Sequence, residues 1–219
     1  KWEKLMKWTV SANFSQTYLY NPQAFTSNMA TLNFFTVTKH FNAMGINGGA
    51  TPNATRDYFE PRSWGEVFNI PRLAFVNAWF SSNYQKPFAL DIGGNFLAYE
   101  HSPWKQYAYN FSPRIRLADA LFLVYSFEKE LQVNNFGYAI AFGDPAQDVD
   151  GILFGQRDRN TTIQGLSADF IMTNRMALSL RLRHYRSTLK YAAYFTLQED
   201  GSLLALPDIN GLTAQGKPA

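Results

Sequence analysis

Residues Lys7 to Tyr20 alternate with a period of two. Trp8, Val10, Ala12, Phe14, Tyr18 and Tyr20 fall on one side; Lys7, Thr9, Ser11, Asn13, Ser15 and Thr17 fall on the other. Successive side chains of a strand point to opposite faces, so this alternation specifies one long strand with an apolar and a polar face. The same pattern returns along the chain. Phe88, Leu90, Ile92, Gly94, Phe96 and Ala98 oppose Asp91, Gly93 and Asn95. Tyr107, Tyr109, Phe111, Ile115 and Leu117 oppose Gln106, Asn110, Ser112, Arg114 and Arg116. Leu121, Leu123, Tyr125 and Phe127 oppose Ser126, Glu128 and Glu130. Leu166, Ala168, Phe170 and Met172 oppose Ser167 and Asp169, and Met176, Leu178, Leu180 and Leu182 oppose Ser179, Arg181 and Arg183.

Less regular strands fit between these. Met29 to Val37 changes its apolar side at Phe34-Phe35, which suggests a bulge. Ala43 to Ala50 is short and Gly-rich, and Arg72 to Ser82 is apolar on both faces. The sum is about nine strands, with a tenth after Leu203, and no segment carries a helical period. Connections read as tight at Lys39–Asn42, Asn83–Pro87, Ala118–Ala120 and Thr173–Arg175. They read as longer at Asn21–Asn28, at about 51–71 and at about 132–160. That is an antiparallel up-and-down meander with two unlike ends.

Composition decides what such a meander is not. Charged residues are 17% of the 219, against about 25% in an ordinary domain. Aromatic residues are 16%. The longest apolar run, Ala120 to Tyr125, is far short of the roughly 18 residues of a spanning helix. With no Cys there is no thiolate metal site and no thiol nucleophile. The net charge of +3 comes without a Lys/Arg cluster, which argues against nucleic acid as a partner. Lys1 is not an initiator, no leader-like apolar segment follows it, and residues 214–219 read as a loop, so the chain reads as part of a longer mature protein.

Strand length selects between two environments for the apolar face. Strands of soluble sheets average about 5 to 6 residues with the apolar face inward, whereas a membrane strand needs about 9 to 11 with the apolar face outward. The clean strands here run 10 to 16 residues, and rings such as Trp8, Tyr18, Phe88, Tyr99 and Trp104 stand near their ends. The expectation is an all-β protein: an antiparallel up-and-down transmembrane β-barrel. Residues 1–219 would supply about nine or ten strands of an incomplete barrel, with outer-membrane lipid on the apolar side. A soluble extended β-protein is the alternative.

The stretch Gly151-Ile-Leu-Phe-Gly-Gln-Arg-Asp-Arg-Asn-Thr161, a following Leu-Ser-Ala-x-Phe strand, and Thr173-Asn-Arg-Met176 with Leu178 to Ser187 form a further pattern. Phe111 to Leu117 and Pro71 to Leu73, leading to Ser81 to Lys86, belong with it. Together these resemble the C-terminal barrel region of a domain-of-unknown-function family of Gram-negative outer-membrane proteins. The N-terminal half of that family resembles a family-nine carbohydrate-binding module. The resemblance covers most of residues 60 to 195 and leaves residues 1 to 50 as generic barrel strands. It implies location and architecture, and it implies no established activity.

Candidate site residues follow from the polar face and the loops. Arg114, Arg116, Glu128, Arg181 and Arg183 would line a hydrated lumen. Glu128 and Glu130 lie on one face about 7 Å apart; a carboxylate pair can serve glycoside hydrolysis, but pairing with Arg is the plainer reading. Tyr58 and Trp64, with Phe59 among Arg56, Asp57, Glu60 and Arg62, could offer flat rings to a glycan. Asp144, Asp148 and Asp150 form a weak Ca²⁺ candidate without EF-hand spacing. His40, His101 and His184 lack metal-ligand spacing, and no G-x-S-x-G elbow occurs. The functional expectation is therefore a non-enzymatic barrel without a cofactor that passes or captures a solute, such as a glycan. A membrane anchor or scaffold for other outer-membrane subunits is the alternative, and an outer-membrane hydrolase a remote one.

Overall fold

The computed structural model describes residues 4–142 and 151–206. Ten strands form one antiparallel sheet in meander order: β1 (Leu5–Leu19), β2 (Ala24–Thr38), β3 (Ala43–Ala50), β6 (Leu73–Ser81), β7 (Phe88–Tyr99), β8 (Lys105–Ala118), β9 (Leu121–Phe142), β10 (Gly151–Thr173), β11 (Met176–Leu197) and β12 (Leu203–Leu206). A small hairpin of β4 (Thr55–Asp57) and β5 (Phe68–Ile70) folds within the connection from β3 to β6. The two edges of the large sheet are β1 and β12, and no helix occurs among the described residues. The chain is thus all-β and antiparallel, as the period of two requires.

Three local expectations are corrected. The first connection is a short turn between Leu19 and Ala24 instead of a loop over Asn21–Asn28, because Phe25 to Asn28 pair with β1. The segment 132–160 is mostly strand: β9 and β10 pair through Gln132 with Arg159 and on to Gly151 with Phe142. Register through Phe34-Phe35 is continuous, with the irregularities of β2 placed elsewhere. Phe35 simply points to the polar face, where it stacks on Trp79 at 5.9 Å.

Cross-strand partners share a face, so the register sorts the side chains. The polar side of nine neighbouring strands reads Ser11, Asn33, Asn47, Asn77, Asn95, Ala108, Glu130, Thr161 and Ser187 along one row. The next row, toward the tight turns, reads Thr9, Phe35, Gly45, Trp79, Gly93, Asn110, Glu128, Ile163 and Tyr185. The opposite face carries Val10, Leu32, Ile46, Val76, Ile92, Phe111 and Leu180, and every one of these is exposed.

This inverts the distribution expected of a sheet in water, where the apolar face is the one covered. The buried apolar side chains are few: Phe68, Ala89, Trp104, Ile152, Leu153 and Phe154. Their one cluster lies where β5 packs on the ends of β9 to β11, with Phe68 and Phe154 rings 4.6 Å apart. Apolar character also ends at a definite height. On β11 it runs from Met176 to Leu182 and gives way to His184, Arg186 and Thr188; on β10 it gives way at Gln164, Thr162 and Asn160. On β7 and β8 the rings of Phe96 and Tyr107, 5.1 Å apart, stand near the upper end of the apolar side chains.

Glycines on the polar face of β3 make room for rings. Trp79 lies over Gly45, and Phe75 over Gly49. A Cβ at Gly49 would also sit 2.6 Å from the carbonyl oxygen of Ala30, a backbone atom that cannot rotate away. The substitution Gly49→Ala must therefore spread the β2–β3 pair. We expect a loss of about 1–3 kcal/mol, read as a lower urea midpoint of the purified full-length protein.

Candidate functional site

The strands bring the chemistry-bearing residues of the sequence onto one face. Arg114 and Arg181 share a row, in the order Ala89, Arg114, Val124, Ser167, Arg181. Arg116 shares the next with Phe122, Asp169 and Ser179. Glu128 lies two rows from Arg114 on the other side, and Arg183 faces Gly165 and Ser126. They do not converge on a single point; they tile one surface.

Most charges on that surface are matched. Arg114 donates from Nε to Asp91 at 3.1 Å, and Asp91 also accepts from Tyr84 at 2.5 Å and from Ser81. The Arg114 guanidinium lies 4.6 Å from the Tyr84 ring centre. Arg181 grips both carboxylate oxygens of Asp169, at 2.9 and 3.1 Å, while Ser179 donates to the same Asp169 at 2.6 Å. Arg159 donates to Glu130 at 2.9 Å, so Glu130 is held in an ion pair as the plainer sequence reading has it. Bidentate Arg–carboxylate contacts fix orientation as well as charge. These pairs act as cross-strand clamps, Asp91–Arg114 and Asp169–Arg181 near the tight turns and Glu130–Arg159 further along the strands. Glu128 and Arg183 have no ion-pair partner among the described residues.

The amide rows enclose a cavity of about 330 Å³ lined by Asn77, Asn95, Asn110, Glu128, Glu130 and Thr161. Asn33 and Asn47 hydrogen-bond to each other beside it, and Asn77 donates to the Gly94 carbonyl at 3.3 Å. The side-chain oxygen of Asn95 is buried and has no donor among the described residues. A wider cavity of about 760 Å³ lies toward the tight turns, lined by Phe35, Trp79, Ser81, Tyr84 and Arg116 among others. Sequence reading missed Asn33, Asn47, Asn77, Asn95 and Trp79. The only signal was a lone Asn inside each of four apolar strand segments, and it acquires meaning only once the register aligns them.

The long connection is folded, not open. Asp57 Oδ1 accepts from the backbone N–H groups of Phe59 and Glu60, at 2.8 and 3.0 Å. Glu60 reaches β9, accepting from the N–H of Tyr138 at 2.8 Å, and its carboxylate stands 4.0 Å from Arg157. Arg62 places its guanidinium 4.4 Å from the Tyr138 ring centre. Tyr58 is partly covered, whereas Phe59 and Trp64 are exposed, Trp64 at 90%. Asp144, Asp148 and Asp150 lie outside the described residues. Among the described ones no cluster of three or more His, Asp and Glu could hold a metal ion.

Compared with known families, the sequence matches over residues 1–215 the one described as a domain of unknown function (DUF5916). The chain belongs to that family. The match takes in residues 1–50, so β1 to β3 are part of the DUF5916 region and not merely strands of generic type. No curated protein and no solved structure matches the chain. What this DUF5916 member does is therefore argued from its own faces.

Proposed function

We propose that this chain forms part of a transmembrane β-barrel in the outer membrane of a Gram-negative bacterium. Its polar face would line a lumen through which a solute is passed or held, without an enzymatic step. One observation carries the reading: large apolar side chains stand exposed along one whole face from β1 to β11, while the other face bears the matched charges and the amide rows. Water would leave that arrangement aggregation-prone, because contiguous exposed apolar surface beyond a few hundred Å² drives association. Lipid stabilises it.

The apolar band also has an upper limit. From Met176 to Leu182 the outward side chains of β11 are apolar, and Arg186 follows. Strands β9 to β11, of 22, 23 and 22 residues, exceed the roughly 9 to 11 residues that cross a bilayer. Their further ends would stand clear of the membrane, where the hairpin of β4 and β5 packs on them. In lipid the free edge of β1, and that of β11 where β12 pairs only Tyr194 to Leu197, must also find partners, since unpaired backbone groups cost several kcal/mol each. Barrel closure is the arrangement that supplies them.

The test is made on the full-length protein reconstituted in planar bilayers. Stepwise single-channel conductance is the expected result. Insertion without current would turn the reading toward an anchor or scaffold. A protein that stays monomeric in water without detergent would overturn it.

A further inference from the structure

We propose that the amide-lined cavity is a binding site for an uncharged, hydroxyl-rich ligand, a neutral oligosaccharide. The inference rests on the reading of this face as a water-filled lumen and names what it takes.

The argument begins with the donor set. Each Asn side chain offers two N–H donors and a carbonyl acceptor within a few ångströms. A sugar hydroxyl is likewise donor and acceptor at once, so a row of amides matches a row of hydroxyls without adding charge. Asn77, Asn95 and Asn110 face one cavity from three consecutive strands. Asn77 and Asn95 are direct cross-strand partners, about 4.8 Å apart, and Asn110 stands diagonally beyond them, one strand over and two residues along. Glu128 adds a carboxylate acceptor with no cationic partner among the described residues. That charge repels anionic ligands.

Next to the amides stands a ring platform. Trp79 is two residues along β6 from Asn77, its indole set against Gly45 and stacked with Phe35 at 29° between planes. Both rings line the neighbouring cavity. Aromatic faces accept the apolar C–H face of a pyranose, while amides bind its hydroxyl edge. From β6 to β9 the site spans three strand steps, about 14 Å, so an oligosaccharide fits its length better than a single sugar does. An apolar ligand would strand the amides, and a polyether would leave their N–H groups half used. Asp91–Arg114 and Asp169–Arg181 are paired within the protein, and Arg116 and Arg183, without an ion-pair partner among the described residues, lie outside the amide-lined cavity.

The experiment is calorimetric titration of the folded full-length protein in detergent with maltohexaose and cellohexaose. Polyethylene glycol of similar mass and an anionic oligosaccharide serve as comparison. Binding of at least one neutral hexasaccharide is expected, weakened about tenfold by Asn95→Leu and by Trp79→Ala. Trp79→Phe keeps the platform and should restore affinity to within about twofold. Insertion of each variant into lipid vesicles is measured in parallel. Normal insertion with no heat from either hexasaccharide overturns the site alone. So does equal binding of polyethylene glycol, or affinity unchanged by both Asn95→Leu and Trp79→Ala. Failure of the unaltered protein to insert overturns the barrel reading, and the site with it.

Discussion

Replacing Ile92 by Arg abolishes most insertion of the protein into lipid vesicles. Ile92 is 44% exposed in the middle of β7, on the side that carries Ile46, Val76 and Phe111. A cation facing lipid near the bilayer midplane costs about 2–4 kcal/mol, roughly 30- to 1000-fold in a folding equilibrium. The control is Thr161→Lys on the polar side, where the new ammonium stands opposite Glu130 across the strand pair. Its effect stays within about 0.5 kcal/mol. The contrast has a definite sign. Were the exposed face in water, Ile92→Arg would be neutral or would improve solubility, because it removes apolar surface from solvent. Equilibrium folding into vesicles over a urea series measures both variants.

Phe154→Ala acts at the other end of the molecule. Phe154 is fully buried, packed against Phe68 of the small hairpin and beside Ile152, Phe195 and Tyr138. Truncating such a ring costs about 3–5 kcal/mol, from lost burial together with the cavity left behind. The loss falls on the docking of residues 51–72 and not on the long ladder, whose backbone pairing does not pass through this ring. Limited proteolysis should cut the variant within 51–72 while β1 to β3 and β6 to β8 stay protected. Equal resistance in variant and parent would show that Glu60 and Arg62 hold the hairpin without the apolar cluster.

Much of the fold was written in the period of two. β1, β7, β8 and β11 could be drawn from alternation alone, because one face is apolar and the other polar over ten residues or more. The signal faded for physical reasons. In β10, before Gln164, the outward face becomes polar at Thr162 and Asn160, so both faces look alike and a strand reads as a loop. In β6, Phe75 and Trp79 sit on the polar face, where they fill the space above Gly49 and Gly45. A sequence scan cannot see the glycines opposite, so the strand looked apolar on both sides. The arginines Arg114, Arg116, Arg181 and Arg183 were legible as one face, although Arg114 and Arg181 prove to be tied to Asp91 and Asp169. The amide rows were not legible. Asn33, Asn47, Asn77 and Asn95 lie in four separate segments, and only strand register puts them side by side.

The orientation of the two faces is the central claim, and the chain is suited to a direct measurement because it contains no Cys. Single cysteines at positions 91 to 96 of β7, in the full-length protein in vesicles, can be labelled with a nitroxide probe. Collision with oxygen, which concentrates in lipid, is then compared with collision with a water-soluble nickel complex. Positions 92, 94 and 96 should respond to oxygen, and positions 91, 93 and 95 to nickel, in strict alternation. Nickel accessibility at 92, 94 and 96 would place the apolar face in water and contradict the membrane reading outright.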